Sequence, residues 1–474
     1  MSTKYVQDMT KGNELPLILK FMFPMLLGNI FQQFYNLVDS IVVGKFVNSN
    51  ALAAVGACGS LSFLFVSVCF GLSIGIGIII SQNFGAGNQE QIKSAITNAI
   101  YVIGAAGILM SIVATIFASQ VLQLMNTPTE IINDSVRYFR IISGGMIAMA
   151  AYNAIASILR ALGDSRTPLI FLIVSCIINI VLDLIFVLVF HLGVEGVAYA
   201  TVISQACSAV SCIVFACYKN PYFRLKMEDW KVNRSIITKC IRIGIPVALQ
   251  NSMIAISMVS LQRVINGFGE TVVAAYTATS RVEQLIQQPF NTLGAAMATF
   301  SGQNMGANKL DRVKKGYHKG IFLVALFSIL ALAMAQLGGR AIMEIFVDEE
   351  EVIKLGAKAI KITSCAYFPL GMIYVTRGLL NGTGDAVYSM INGIVEVIGR
   401  VGFSSSLARI PVLGAWSVWM TSGLTWTITA IASVIRYKQG KWKKKSLVKS
   451  DVKVIAYNVD DNKEHKELQK ETEY

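Results

Sequence analysis

The chain is dominated by long apolar runs that are separated by short polar connections. Two of the clearest runs are Leu61–Ile80 and Leu169–Phe190, each close to the roughly 20 residues that an α-helix needs to cross a bilayer. The runs are continuous, whereas a transmembrane β-barrel would show short segments of alternating polarity. The pattern therefore predicts an all-α membrane protein with many crossings.

Twelve spans can be placed along the chain in this way. They are predicted near residues 15–43, 52–80, 94–117, 133–159, 168–190, 194–217, 236–265, 272–299, 316–338, 357–380, 388–408 and 412–436. The stretch before the first span is polar, and no small-residue cleavage site follows a short apolar core. We therefore expect the first span to serve as its own insertion signal.

Composition and charge agree with this pattern. Hydrophobic residues make up 54% of the chain and charged residues 15%, and the mean hydropathy is +0.57. The net charge is +13, and Lys and Arg gather after the even-numbered spans and in the tail from Lys441. Because cytoplasmic loops retain Lys and Arg, both termini are predicted to be cytoplasmic in a multi-pass plasma-membrane protein. Nucleic-acid binding is not expected, since these bases flank spans instead of forming a folded patch.

The residues that usually carry catalysis or metal binding form no recognisable pattern. The eight cysteines lie in or beside apolar spans without a C-x-x-C pair, and the three histidines are scattered. There is no H-E-x-x-H and no phosphate-binding G-x-x-x-x-G-K-[ST] loop. We therefore predict no enzyme activity and no cofactor.

One phrase occurs twice in the chain. Residues 82–93 read Q-N-F-G-A-G-N-Q-E-Q-I-K and residues 303–314 read Q-N-M-G-A-N-K-L-D-R-V-K, an offset of 221. Further matches keep the same offset, including Gly163 with Gly384. Shared composition alone would not preserve this register, so the pattern indicates an internal duplication. The phrase itself is interpreted as a structural marker instead of a chemical motif.

Each repeat contains six spans, and an even number returns the chain to its starting side. The two halves should therefore share one orientation and be related by an axis along the membrane normal. We predict two pseudo-symmetric six-helix bundles around a central cleft. The predicted boundaries are an N-terminal bundle at 1–218, a cytoplasmic linker at 219–235, a C-terminal bundle at 236–440 and a disordered cytoplasmic tail at 441–474.

Taken together, these features resemble the multidrug and toxic compound extrusion (MATE) family. The resemblance covers about residues 10–440 and is carried by Pro24, by F-Y-N-L-V-D-S at 34–40, by Q-N-F-G-A-G and by R-A-L-G-D-S-R-T-P at 160–168. The order and spacing of these motifs make it specific. It implies twelve helices in two bundles, and export of cationic, amphipathic organic compounds driven by inward flow of protons or sodium ions.

Two acids in the first half lie inside predicted spans, where an ionisable side chain costs roughly 2.5–3.5 kcal/mol on insertion scales. Asp39 follows Asn36 by three residues, and Asp183 follows Asn179 by four, so each pair shares a helix face. Both acids lie about two turns from the outer ends of their spans and could meet. The alternatives are an interfacial position for Asp39 and a structurally hydrogen-bonded Asp183.

The resemblance implies a cation site in the first half at Asp39, Asp183, Asn179 and Thr201, with Asn36 and Asn153 as polar neighbours. Burial and a second acid nearby both favour the protonated form, so such a pair could carry a proton across the membrane. The same oxygens could instead bind sodium, which is a hard cation.

The second half did not keep these acids. The offset of 221 places Arg400 at the position equivalent to Asn179, and Ser404 at the position equivalent to Asp183. Members of the sodium-coupled NorM-like branch carry a Glu in span seven, where this chain has Gln250 and Asn251. This departure favours proton coupling in the first half, as in the DinF-like branch, and leaves sodium at the same acids open.

Other charged residues lie inside the second half. Glu396 and Arg400 are four apart, so a local ion pair is the simplest account. Arg281 and Glu283 are two apart and cannot face each other, so Glu283 either faces the cleft or pairs with another span. Aromatic and Met side chains suit organic cations. The candidate cleft residues, for which plain packing is the alternative, are Tyr35, Tyr152, Asn153, Met253, Tyr276 and Glu283.

The sequence thus predicts a secondary antiporter that exports cationic or amphipathic organic compounds in exchange for protons or sodium ions by alternating access. We expect it to act as a monomer in the lipid bilayer. The alternative is a flippase of a related fold that moves lipid-linked precursors, and it should line its cleft with several Arg or Lys for phosphates. A passive channel is disfavoured because no filter-like loop lies between the spans.

Overall fold

A computed structural model describes residues 6–125 and 127–448. This part of the chain is all-helical, as predicted, and contains no strand. Its α-helices are α1 (Glu14–Phe46), α2 (Ser49–Gly85), α3 (Gln89–Leu124), α4 (Ile132–Gly144), α5 (Met146–Ala161), α6 (Arg166–Leu184), α7 (Gly193–Lys219), α8 (Arg234–Asn266), α9 (Glu270–Gly306), α10 (Leu310–Glu344), α11 (Glu350–Ser364), α12 (Tyr367–Thr383), α13 (Ala386–Leu407) and α14 (Trp416–Gln439).

Each of the twelve predicted spans corresponds to a described helix or bent helix pair, and up to eleven of these are long and apolar enough to cross a membrane. Nine described helices are long and apolar enough to cross a membrane, and the bent pairs α4–α5 and α11–α12 bring the count to as many as eleven. The pairs bend by 46° and 52°, and each replaces one span predicted as a single segment. The remaining predicted span is α9, whose polar residues lower its hydropathy although its 37 residues exceed the length of a crossing.

The predicted duplication is visible in the backbone. Gly87 and Asn308 occupy equivalent places in the two copies of the repeated phrase, and both are left-handed, with φ of 72° and 56°. Gly163 and Gly384, at the ends of α5 and α12, are also left-handed, with φ of 88° and 94°. Glycine and asparagine are the residues that adopt this conformation most readily. The two halves therefore repeat backbone conformation as well as sequence.

We name α1–α7 the N-lobe and α8–α14 the C-lobe, and we name the end where both described terminal segments lie the inner end. The first helix of each lobe packs into the core of the other lobe. Ile18 and Phe21 of α1 are buried in the C-lobe core. Ile236 and Ile243 of α8 are buried in the N-lobe core. The two lobes therefore interlock near the inner end.

The repeated phrase lies where α2 and α9 cross at this end. Gln82 Nε2 donates to the Gly382 carbonyl oxygen at 2.8 Å, and Gln303 Nε2 donates to the Ala161 carbonyl oxygen at 3.0 Å. Donors and acceptors of these two bonds are related by the same offset of 221. Each bond joins one lobe to the other, so the phrase forms a symmetric inter-lobe contact.

Two glycines of the phrase permit this close approach. A Cβ on Gly85 would overlap the carbonyl oxygen of Gln303, and a Cβ on Gly306 would overlap that of Gln82. Both glycines lie within the last turn of their helices, so they serve the crossing, whereas Gly87 forms the turn. Any side chain at either crossing glycine would push the helices apart.

Each of the two glutamines also holds a terminal segment of the chain. Gln303 Oε1 accepts from the Met9 backbone N–H at 2.8 Å, and Gln82 Oε1 accepts from the Leu447 backbone N–H at 2.7 Å. Met9 is fully buried. The tail predicted to be disordered thus begins with ordered residues, since Lys441–Lys444 also form a short 3-10 helix. The rest of that tail, 449–474, lies outside the described residues.

Two further contacts join the lobes at mid-height of the bundle. Asn29 of α1 donates to Thr292 of α9 at 3.1 Å, and the Ser67 and Ser252 hydroxyls of α2 and α8 lie 3.2 Å apart. Both contacts lie outward of the crossing of α2 and α9. The lobes are therefore joined from the inner end up to this level.

Candidate functional site

The N-lobe brings Asp39 of α1 and Asp183 of α6 into side-chain contact. With the Asn179 amide oriented so that its nitrogen faces the acids, Nδ2 lies 2.9 Å from Asp39 Oδ1 and 3.3 Å from Asp183 Oδ2 and donates to both. Asp183 and Asn179 are fully buried, and Asp39 is half-buried. The predicted meeting of the two acids is therefore present, with one amide bridging them.

Hydroxyl groups surround this acid pair. The Tyr35 hydroxyl contacts the Asp39 carboxyl group and lies 3.4 Å from Thr201 Oγ1, so Thr201 is joined to the acids through Tyr35. Tyr138 of α4 lies near both acids. The sequence analysis placed Tyr35 in the substrate cleft and missed Tyr138, which no local pattern distinguishes from other tyrosines. α6 continues beyond Asp183 as a π-helical turn, a form that often occurs at functional sites.

The acid pair has no basic partner among the residues that the structure describes. In the described part of the chain, no lysine or arginine forms an ion pair with Asp39 or Asp183, and Asp183 Oδ1 is buried without a hydrogen-bond partner. Two adjacent carboxylates cannot both stay ionised in a buried site without a compensating cation. The arrangement can therefore bind a proton or a small cation, and it favours occupancy by one of them.

Other residues of the predicted set lie apart from the acids or make local contacts. Asn36 is exposed. The Tyr152 hydroxyl donates to the Pro168 carbonyl oxygen at 3.1 Å, and Asn153 Nδ2 donates to the Met149 carbonyl oxygen one turn back at 2.8 Å. These two contacts give Tyr152 and Asn153 structural partners within the N-lobe.

The C-lobe contains a cavity of about 330 Å³ between α8, α9, α12, α13 and α14. Arg400 Nη2 donates to Glu396 Oε1 at 3.0 Å, which confirms the predicted ion pair. Arg377 Nη2 lies 3.5 Å from Glu396 Oε2, so one acid lies between two guanidinium groups. The sequence analysis missed Arg377, although an arginine inside the apolar run of span ten is itself a signal.

Two residues of the predicted cleft set, Tyr276 and Glu283, line this cavity. Met253 does not, but its neighbour Ile254 on α8 does. The other aromatic and apolar residues of the lining are Met258, Leu370, Ile373, Tyr374 and Trp426. A charged cavity with aromatic walls is a typical setting for an organic ligand.

A bundle of membrane-crossing helices in two interlocked lobes, with paired acids inside one lobe and a charged cavity inside the other, is typical of a polytopic membrane transporter. The MatE family model matches residues 24–185 and 245–404, one segment in each lobe. The chain therefore belongs to the MatE family, whose members are transporters and not enzymes.

Curated relatives match along nearly the whole chain. The probable multidrug resistance protein YoeA of Bacillus subtilis (strain 168) is 28% identical over 437 residues, which cover 90% of this chain and 94% of YoeA. The probable multidrug resistance protein YpnP of the same organism is 26% identical over 445 residues, covering 92% of this chain and 97% of YpnP. The multidrug export protein MepA of Staphylococcus haemolyticus is 23% identical, covering 89% and 91%.

Solved structures share the fold. An outward-facing multidrug resistance MATE family transporter of the MOP superfamily superposes with a TM-score of 0.85 at 23% identity, covering 94% of this chain and all of the other. A MOP superfamily transporter from Pyrococcus furiosus gives a TM-score of 0.85 at 23% identity, covering 94% and 99%. At this identity the likeness establishes the two-lobe fold.

Proposed function

We propose that this protein is a secondary antiporter that exports cationic or amphipathic organic compounds in exchange for protons or sodium ions. Membership of a transporter family supports the class, and the multidrug names of YoeA and MepA support a broad range of organic substrates. The observation that carries the proposal is the buried contact of Asp39 with Asp183, bridged by Asn179 and without a basic partner.

In this proposal the acid pair couples ion entry to substrate exit. The pair lies in the outer half of the N-lobe and Asp39 is only half-buried, so an ion arriving from the outer side can reach it before the lobes change their packing. Neutralising one carboxylate removes the repulsion between the two acids and changes the relative free energy of the outward-open and inward-open states. Antiport follows if the substrate favours the opposite state.

Two features of this chain favour the proton over sodium. Gln250, where the NorM-like branch has an acid in span seven, is buried against Gly393 and offers no carboxylate. The acid pair brings two carboxyl groups into contact in the outer half of the N-lobe, and one proton bound to either group removes the repulsion between two negative charges. This pattern is that expected of the DinF-like branch.

We also propose that the protein acts as a monomer in the plasma membrane with its inner end in the cytoplasm. At the inner end, the turn after α9 and the start of α10 carry Lys309, Arg312 and Lys314. At the outer end, the acidic run 348–351 spans the end of the loop before α11 and the first residues of that helix. Retention of Lys and Arg on the cytoplasmic side supports this orientation.

The proposal is tested in proteoliposomes that contain the full-length protein, with a cationic dye as substrate. A proton gradient and a sodium gradient are imposed separately. Asp39→Asn and Asp183→Asn are each expected to abolish gradient-driven dye transport, whereas Glu130→Gln, which removes an exposed acid near the outer end, is expected to transport normally. Normal transport by both Asn variants under either gradient would reject the coupling site.

The second candidate function is a flippase for lipid-linked precursors. The observation in its favour is that two arginines, Arg377 and Arg400, line the C-lobe cavity, where they could bind a phosphate. A fluorescent lipid pyrophosphate in the same proteoliposomes separates the candidates. Gradient-independent movement of that lipid, with no transport of the cationic dye, would favour the flippase.

A further inference from the structure

The C-lobe cavity contains buried arginine donors that the chain leaves without acceptors. The Arg400 side chain is 2% exposed, its Nη1 contacts Met258 Sδ at 2.6 Å, and its Nε has no hydrogen-bond partner among the described residues. The Arg377 side chain is 14% exposed, and its Nε and Nη2 also lack hydrogen-bond partners within that part of the chain. Because an unsatisfied buried charged donor is unfavourable, these groups point to an acceptor from outside the chain.

The acids of the cavity do not remove this excess of donors. Both oxygens of Glu396 face the two guanidinium groups, at 3.0 Å from Arg400 and 3.5 Å from Arg377. A single carboxylate cannot accept from all ten N–H groups of two arginines. Glu283 lines the same cavity and lies near the Thr363 hydroxyl, but no described ion pair joins it to either arginine. The cavity thus has unpaired donors as well as one unpaired acid.

We propose that the C-lobe cavity binds an amphoteric organic compound. Its acidic oxyanion group accepts from Arg377 and Arg400, and its cationic group lies against Glu283 and the rings of Tyr276 and Tyr374. The proposal rests on the proposed export function, since it names the substrate class of that exporter. A substrate with only a cationic group would offer no acceptor to Arg400 Nε or to Nε and Nη2 of Arg377.

The chemistry of the walls fits this ligand. Guanidinium groups bind carboxylates and phosphates in a planar, bidentate manner, and aromatic faces attract organic cations. Arg377 already lies over the Tyr374 ring, with Cζ at 5.9 Å from its centroid, so its plane is held at the cavity wall. The volume of about 330 Å³ lies in the range of small-molecule sites.

A matched pair of fluorescent probes tests the proposal. The probes are a rhodamine dye with a free benzoic acid, which is amphoteric, and the methyl ester of the same dye, which is only cationic. Binding to the purified full-length protein in detergent is followed by fluorescence anisotropy. Arg377→Gln is expected to weaken binding of the acid dye about tenfold or more, and that of the ester less than about threefold, because only the acid dye loses a charge-assisted hydrogen bond.

Two further variants show whether the effect is specific. Glu283→Gln is expected to weaken both dyes alike, since both carry the cationic ring system. Arg281→Gln removes an exposed arginine from the same helix as Glu283 and should change neither. Arg377 is chosen over Arg400 because its removal leaves the Glu396–Arg400 pair in place, and the melting temperature of each variant checks folding. Equal losses for both dyes with Arg377→Gln, or wild-type affinities that do not differ between the dyes, would overturn the proposal.

The source of the acidic group is separated by competition. Displacement of the acid dye by short-chain phosphatidylcholine assigns the oxyanion site to a lipid phosphate, and retention of the dye assigns it to a soluble substrate. If the ester dye is exported under an ion gradient and Asp39→Asn abolishes this export, the proposed function is supported even when the protein binds the two dyes with equal affinity. Absence of gradient-driven export of either dye would reject the proposed function while the binding result stands.

Discussion

The acid pair of the N-lobe and the charged cavity of the C-lobe are built on equivalent helices of the two repeats. The offset of 221 relates Asn179 on α6 to Arg400 on α13, and Asp183 to Ser404. The N-lobe helix thus contributes an acid that has no base, while the C-lobe helix contributes a base held by Glu396. One scaffold thus places an acid at one turn of the N-lobe helix and a base one turn away on the equivalent C-lobe helix, a difference that agrees with the cation site proposed for one lobe and the oxyanion site proposed for the other.

The inner end shows the reverse relationship between the repeats. There the residues themselves were kept, since Gln82 and Gln303 make equivalent bonds to the opposite lobe, and Gly85 and Gly306 permit equivalent contacts. Each copy of the repeated phrase contacts the other lobe, so a change in either copy would disturb both lobes. This requirement constrains the sequence of both copies. The acid pair and the charged cavity lie inside one lobe each, so no such contact with the other lobe constrains them.

The largest difference between the repeats should appear when equivalent positions are changed. Asp183→Asn is expected to reduce gradient-driven dye export by about tenfold or more, because the coupling free energy depends on the acid pair. Ser404→Ala, at the equivalent place in the C-lobe, removes only a hydroxyl that donates to Val401 within its own helix. Its export rate should match that of the unmodified protein. Equal losses in the two variants would mean that the lobes share one coupling function.

The crossing glycines should give the next largest effect. Gly85→Ala places a methyl group against the Gln303 backbone, and overpacking of this kind typically costs about 1–3 kcal/mol. The closed inner end should therefore open more often, which is measured as faster hydrogen exchange in the peptides that contain Gln82 and Gln303. Gly59→Ala lies on the same helix in open space and is the matched control. Unchanged exchange in Gly85→Ala would show that the crossing does not hold the inner end closed.

Much of the fold was predictable because the signals are local. The length of apolar runs located the spans, and the fixed offset revealed the duplication. Asp39 and Asp183 were recognisable because ionisable residues are rare inside lipid and their amide neighbours share the same helix faces. The bend between α4 and α5 was not predicted. At that bend a Cβ on Gly145 would overlap Val202 of α7, a contact that local sequence does not encode.

The unpredicted part of the site depends on packing between distant segments. Tyr138 reaches the acids only because α4 packs beside α2 and α7, which brings this side chain to the cluster around Val42 and Val43 of α1. Arg377 meets Glu396 across two helices. Gly85 could be interpreted only as a turn residue, since its real neighbour, Gln303, lies in the other repeat. The sequence identifies residues that need a partner, but the choice of partner is made by the helix arrangement.

An effect no larger than that of the crossing glycines is expected from the two glutamines of the repeated phrase. Gln82→Ala and Gln303→Ala each remove a buried side chain that bonds one lobe and one terminal segment. Each change should lower the free energy of unfolding by about 1–3 kcal/mol, as for other buried hydrogen bonds left unmade. The two losses, measured from denaturant titrations in detergent, should be similar. A clear difference between them would show that the inner contact is symmetric in geometry but not in energy.

The smallest effect is expected from an exposed position of the same phrase. Asp311, in the first turn of α10, accepts from Lys314 Nζ at 2.7 Å, and this contact lowers the pKa of the Asp311 carboxyl below its ordinary value. A carboxyl group with a lowered pKa in the folded state stabilises the protein above its unfolded-state pKa of about 4. This contribution to the free energy of unfolding is lost as the pH falls through the folded-state pKa. Solvent screens this exposed pair, so at neutral pH the melting temperature of Asp311→Asn should be only slightly lower than that of the unmodified protein. At acidic pH the two melting temperatures should be the same. A loss in melting temperature as large as that of Gln303→Ala would mean that the solvent-facing residues of the phrase, and not only its buried glutamines, hold the inner end together.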